Sequence, residues 1–242
     1  MATIIKLGTL CLDDTPIKPG AEYKPDAKIS IAPGAEINWV AVNGLLIADR
    51  CLLAGIRWDD LDAQGLVFGK DITIGHQDFR IRLLKVGTQE DAPNEWDAAL
   101  DVTGEENCLW NWASGFFWGQ ETTKNPSSRA LRGYLSARDY SWTTSSDWSS
   151  DLGFRPALEP LPSDGLRPGS RACALGGQSI LYGDIVDQTA YDVILRPTKK
   201  TALAEADKGE LAIPLPNGDL AVDSSKAVIQ AYPGEIHTEG DR

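Results

Sequence analysis

Four cysteines, two histidines and one methionine limit the chemistry open to this chain of 242 residues. Cys11, Cys51, Cys108 and Cys173 lie at least 40 residues apart, a spacing that writes neither a zinc motif nor a dense disulfide framework. They read as mostly buried free thiols. With His76 and His237 alone, chemistry that needs several histidines has no residues to work with, and no catalytic residue is assigned. One carboxylate cluster stands out, Asp59, Asp60 and Asp62 in Trp58-Asp59-Asp60-Leu61-Asp62. Its hard oxygens would suit Ca2+, while carboxylates at a helix start also serve as caps and solvated charge. Both readings stay open, and no other cofactor or metal is expected.

The residue chemistry instead points to contact. Between Tyr134 and Leu152 the chain places six Ser, two Thr, three Asp and four aromatics, with no Lys, Glu, Gly, Pro, Val or Ile. That is too polar for a core strand and too rich in rings for a flexible linker. Rings give contact area at low entropic cost and hydroxyls set a polar pattern, a mixture favoured in antibody paratopes. The candidate ligand-binding residues are Tyr134, Ser136, Arg138, Asp139, Tyr140, Trp142, Thr143, Thr144, Ser145, Ser146, Asp147 and Trp148. The alternative is that Tyr140 and Trp142 pack inward as members of an irregular loop.

The elements that must position this window are read from turn signals and periodicity. Residues 1–55 are short apolar stretches cut by Pro and Gly, a β-rich start, with Val42-Asn43-Gly44-Leu45 as a two-residue hairpin. Trp58 to Gly65 reads as a short helix with acidic residues in front and a glycine behind. Leu66 to Gly69 and Gln77 to Val86 read as strands, and Pro93 to Leu100 as a second helix capped by Asn94. The rings Trp110, Trp112, Phe116, Phe117 and Trp118 are dense enough to be a packed core. Pro160 to Gly165 marks a boundary. The expected divisions are a β-rich N-terminal assembly region (1–55), a central domain (56–160), a small β-rich region (161–233) and a flexible acidic tail (234–242).

A net charge of −12 and a pI near 4.6 repel phosphate backbones, so nucleic acid is not an expected partner. Apolar runs such as Gly44 to Ala48 are far shorter than the roughly 20 residues of a spanning helix, so no membrane insertion is expected. The start, Met-Ala-Thr-Ile-Ile-Lys-Leu-Gly, lacks the basic and apolar regions of a secretory signal, which implies synthesis in the cytoplasm.

The order Asn94-Glu95-Trp96-Asp97, Trp110-Asn111-Trp112, Phe117-Trp118-Gly119-Gln120-Glu121, Arg129-Ala130-Leu131-Arg132-Gly133 and Gly153-Phe154-Arg155-Pro156 covers roughly Ile56 to Leu158. It resembles the C-type-lectin-like domain shared by formylglycine-generating enzymes and the variable proteins of diversity-generating retroelements. The resemblance implies an α+β fold, short helices around small twisted antiparallel sheets, with β-rich N-terminal and C-terminal additions. It also implies that the Arg-Gly and Gly-Phe-Arg strands flank an exposed ligand face, with Phe154 buried and Arg155 satisfied by internal acceptors.

The whole-chain pattern is similar to proteins of phages and prophages. That likeness implies a virion protein, a non-enzymatic receptor-binding or adhesion component of the tail. Its partners would be a host-surface protein or glycan and other virion proteins, in a homo-oligomer expected to be a trimer. In the retroelement group the window is rewritten at template adenines, and the absence here of Lys, Glu, Gln and Met fits that route, whereas Trp142 and Trp148 do not. Two alternatives carry less. A formylglycine-type oxidase needs a cysteine pair between the two motifs, and no cysteine lies between Cys108 and Cys173. A purely structural or decoration protein of the virion fits the acidic, loop-rich composition equally well.

Overall fold

The computed structural model describes residues 2–232, and the statements that follow concern those residues. The expected tail, 234–242, lies outside them. One six-stranded sheet runs β1 (Thr3–Lys6), β6 (Asn38–Val42), β7 (Leu45–Ala48), β15 (Pro156–Pro160), β10 (Gln77–Leu83) and β9 (Lys70–Ile74). A second runs β13 (Tyr140–Thr144), β12 (Ser128–Gly133), β11 (Phe116–Thr122), β14 (Leu152–Phe154), β8 (Leu53–Ala54) and β4 (Ala21–Glu22). The third holds β19 (Ala212–Pro214), β20 (Leu220–Asp223), β18 (Asp192–Pro197), β17 (Ser179–Gln188), β16 (Arg171–Gly176) and β21 (Val228–Ala231). A three-stranded sheet joins β3 (Thr15–Pro16), β2 (Thr9–Leu12) and β5 (Ile29–Ala32).

Only three α-helices accompany these strands: α1 (Trp58–Ala63), α2 (Glu95–Thr103) and α3 (Asn107–Trp110). The expected α+β class is therefore corrected, because this is a predominantly β chain with antiparallel and mixed sheets. The physical reason is length: the helix signals are genuine but each spans one to three turns. The extended, turn-punctuated segments between them take the rest of the backbone.

Local signals act where they are written. Asn43 and Gly44 both adopt positive φ, 51° and 75°, and join β6 to β7 in the two-residue hairpin that Asn-Gly favours. The Asn94 side chain accepts from the Asp97 N–H at 2.8 Å and opens α2. The buried rings assemble as a core: Trp96 meets Trp110 at 5.0 Å and Phe117 at 4.9 Å, edge to face. Trp39, Phe79, Trp118 and Phe154 fill the larger cluster between the first two sheets.

β14 and β15 are separated by one residue, Arg155, yet they insert into different sheets. Arg155 is fully buried and donates to the Ala48 carbonyl at 3.1 Å and the Trp110 carbonyl at 2.7 Å. Its guanidinium lies 4.9 Å from the Phe117 ring centre and 5.1 Å from that of Trp96. Burial pulls its pKa below the ordinary arginine value and pushes the neighbouring Cys51 thiol up. The third sheet has its own core of Ala174, Leu181, Val193, Leu195 and Val222. It meets the rest through Cys173, Leu175 and Ile180, which join the larger cluster, and through Gln230, which accepts from Gln77 at 3.2 Å and donates to the Leu161 carbonyl at 2.7 Å.

Candidate binding face

The window begins where β12 ends. Gly133 and Tyr134 take positive φ, 95° and 79°, a conformation cheap for glycine and strained for tyrosine, which turns the chain out of the sheet. Residues 134–139 are then held from below. The buried Arg132 donates from Nη1 to the Arg138 carbonyl at 2.8 Å, from Nη2 to the Glu90 carbonyl at 2.9 Å and from Nε to the Val86 carbonyl at 3.1 Å. It also pairs with Asp97 at 3.1 Å. The Trp96 indole donates to the Ala137 carbonyl at 2.7 Å. Arg138 itself donates to Glu105 at 2.5 Å and Asp101 at 2.7 Å, which fastens the loop to α2 and its C-terminal extension.

β13 is the outermost strand of its sheet and pairs only with β12, from Arg132↔Tyr140 to Ser128↔Thr144. Tyr140 is half-buried with the Arg132 guanidinium 5.2 Å from its ring centre, and its buried hydroxyl has no hydrogen-bond partner. Burial raises its phenol pKa. Trp142, two residues on, is 60% exposed. The Thr143 hydroxyl donates to the Asp147 carboxylate, and this bond holds that carboxyl below its ordinary pKa.

From the edge at β13 the chain must reach β14 on the far side of β12 and β11, so the segment after Thr144 crosses the sheet. It does so against α1: the Ser145 carbonyl accepts from the Asp59 N–H at 3.2 Å. The Trp148 indole then donates to the Gly55 carbonyl at 2.8 Å, so this ring is anchored although 56% of it is exposed.

The twelve sequence-predicted residues thus occupy one loop, one edge strand and one crossing segment, but they divide by role. Tyr134, Ser136, Trp142, Thr144, Ser146, Asp147 and Trp148 are exposed. Asp139, Thr143 and Ser145 are half-buried, while Arg138 and Tyr140 are engaged internally. Sequence reasoning passed over Leu135, which is 75% exposed beside Tyr134, although as a lone large aliphatic in a polar window it carried a signal. It also passed over Arg132, whose hub role no local pattern reveals.

Among the described residues no group of three or more His, Cys, Asp or Glu side chains is placed to hold a metal ion. Within the carboxylate cluster, Asp60 accepts from the Arg57 N–H at 3.3 Å as part of the α1 cap. A cleft of about 550 Å³ lies elsewhere, between the first sheet and α2, and is lined by Phe68, Arg82, Lys85, Glu95 and Glu159 among others. Its deepest charge, Arg82, is satisfied by Glu95 at 2.8 Å and Glu159 at 3.2 Å. Neither this cleft nor one of about 630 Å³ lined by Pro162, Leu166 and Val228 among others is lined by any of the twelve residues. Comparison of the chain with family models, with curated proteins and with solved structures finds no match.

Proposed function

We propose that this chain is a non-enzymatic binding protein, a virion component whose Tyr134 to Trp148 face attaches to a host-surface protein or glycan. One observation carries the reading: of the ten exposed large hydrophobic side chains among the described residues, four (Tyr134, Leu135, Trp142 and Trp148) fall in this short window. Single exposed apolar residues are ordinary, whereas four of them close in sequence, set among hydroxyls on a tied backbone, have the composition of an interface. The motif order that resembles the lectin-like group supports the same assignment.

The test is attachment to the host cell. Replacing Leu135 and Trp142 with Ala removes mostly exposed area and no side-chain hydrogen bond, so attachment should fall by about tenfold or more with the melting temperature little changed. Unchanged attachment in this variant would assign the face to packing within the particle, the role of a decoration protein.

A further inference from the structure

We infer that the free edge of β13 is a strand-addition site, and that its occupant is an extended, cationic polypeptide segment. This inference rests on the binding reading above and names the class of partner. The geometry starts from one hydrogen bond. The Gly133 N–H donates to the Asp139 carbonyl at 3.1 Å, which makes Gly133/Asp139 a hydrogen-bonded pair of the antiparallel ladder. With Leu131 opposite Ser141 and Arg129 opposite Thr143, the inward backbone groups of this strand are those of Asp139, Ser141 and Thr143. The alternate residues therefore aim outward: the N–H and C=O of Tyr140 and Trp142, and the N–H of Thr144. The Thr144 carbonyl is taken by the Asp147 N–H at 3.1 Å. Among the described residues no protein group meets the N–H and C=O of Tyr140 and Trp142, while the Thr144 N–H turns to the Asp147 carboxylate.

Exposed sheet edges are normally blunted by charge, proline, shortness or a cover. Of the other edges, β5 is likewise uncharged but has four residues and its Ile29 N–H is taken by the Gln64 side chain at 2.8 Å, and the rest follow that habit. β9 carries Lys70 and Asp71, β1 ends in Lys6, β19 ends in Pro214, and β4 has two residues. β21 is covered by Ser163, whose N–H meets the Ile229 carbonyl at 3.1 Å and whose Oγ accepts from the Ala231 N–H at 3.0 Å. β13, with sequence Tyr-Ser-Trp-Thr-Thr, has no charge, no proline and no bulge. Its residue types favour a strand, and its free length of about 17 Å suits a peptide of roughly five residues.

Charge selects the occupant. Asp139 and Asp147 stand at the two ends of the strand, and neither has a salt-bridge partner among the described residues. A second copy paired antiparallel about Trp142 would bring four such carboxylates together. The one cation of the window, Arg138, is already engaged by Asp101 and Glu105. A segment with basic residues flanking an uncharged centre answers both ends and the backbone between them.

The experiment uses the full chain and a seven-residue peptide library with Lys fixed at both ends and Thr, Val, Ile or Tyr between. Binders selected on the wild type should bind Trp142→Pro, which removes an outward N–H, about tenfold or more weakly than Trp142→Val, which removes the same ring and keeps the N–H, and should lose as much on N-methylation of alternate peptide amides. Recovery of no binder, equal binding to Trp142→Pro and Trp142→Val, insensitivity to N-methylation, or equal recovery from a library with Glu at both ends would overturn the inference. A wild-type dimer that persists in Trp142→Val and dissociates in Trp142→Pro would assign the edge to a second copy. Host attachment lost in the Leu135 and Trp142 variant but equal in Trp142→Pro and Trp142→Val would leave the binding reading intact and move the ligand to a glycan. Failure of both would remove the two together.

Discussion

Arg138 shows what a charged residue in the window does: its guanidinium donates to Asp101 and Glu105, from the loop to α2 and the turn beyond it. Arg138→Ala should cost about 1 kcal/mol, since the pair is more than a third exposed, and should loosen residues 134–139. Lys in its place should restore little, lacking the fork that reaches two carboxylates at once. Chemical denaturation of both variants checks this. Gly133 makes the opposite demand. At φ 95°, and with an added Cβ only 3.2 Å from the Gly115 carbonyl oxygen, Gly133→Ala should cost about 1–3 kcal/mol, read in the same measurement. Asp147 gives a pH signature. Because the Thr143 hydroxyl lowers its pKa in the folded state, the bond contributes above the ordinary carboxylate range and is lost as pH falls through the lowered value. A side-chain NMR titration of Asp147 should show a midpoint below that of a free Asp; a midpoint at or above it would remove the bond.

At the scale of elements, the two tryptophans of the window separate. Trp142 projects from an edge strand and Trp148 is tied by its indole to Gly55, so only Trp148→Ala should destabilise the fold, by about 1–2 kcal/mol for the orphaned carbonyl and lost packing. Thermal unfolding of the two single variants tests the contrast. The elements set by neighbours in sequence were legible: the Asn43-Gly44 hairpin, the Asn94 cap and the short helix ahead of Gly65 all follow from residues within one turn of each other. Sheet membership was not. Gly153-Phe154-Arg155-Pro156 reads as one piece of scaffold, yet the chain divides there between two sheets, a choice made by Leu53, Ala54, Leu46 and Ile47 a hundred residues earlier. In the window, composition located the face, but the partners of Arg138 and Trp148 lie 33 to 93 positions away and no local pattern encodes them.

For the whole molecule, Arg155 joins what the short helices cannot. It is a buried charge that donates to two carbonyls and lies over two ring faces, its Nε left without a partner, at the point where β14 leaves one sheet and β15 enters the other. Arg155→Ala should cost about 3–5 kcal/mol by orphaning those carbonyls and opening a cavity beneath Trp96, a loss to be read by calorimetry. The same junction governs how the protein is born. The strands on either side of each insertion are all synthesised before residues 152–160, and each sheet stays in two halves until that stretch leaves the ribosome. The nascent chain therefore carries unclosed sheet edges through most of its translation, and the binding window, emitted just before the closing strands, is fixed in place at nearly the moment the two sheets are completed.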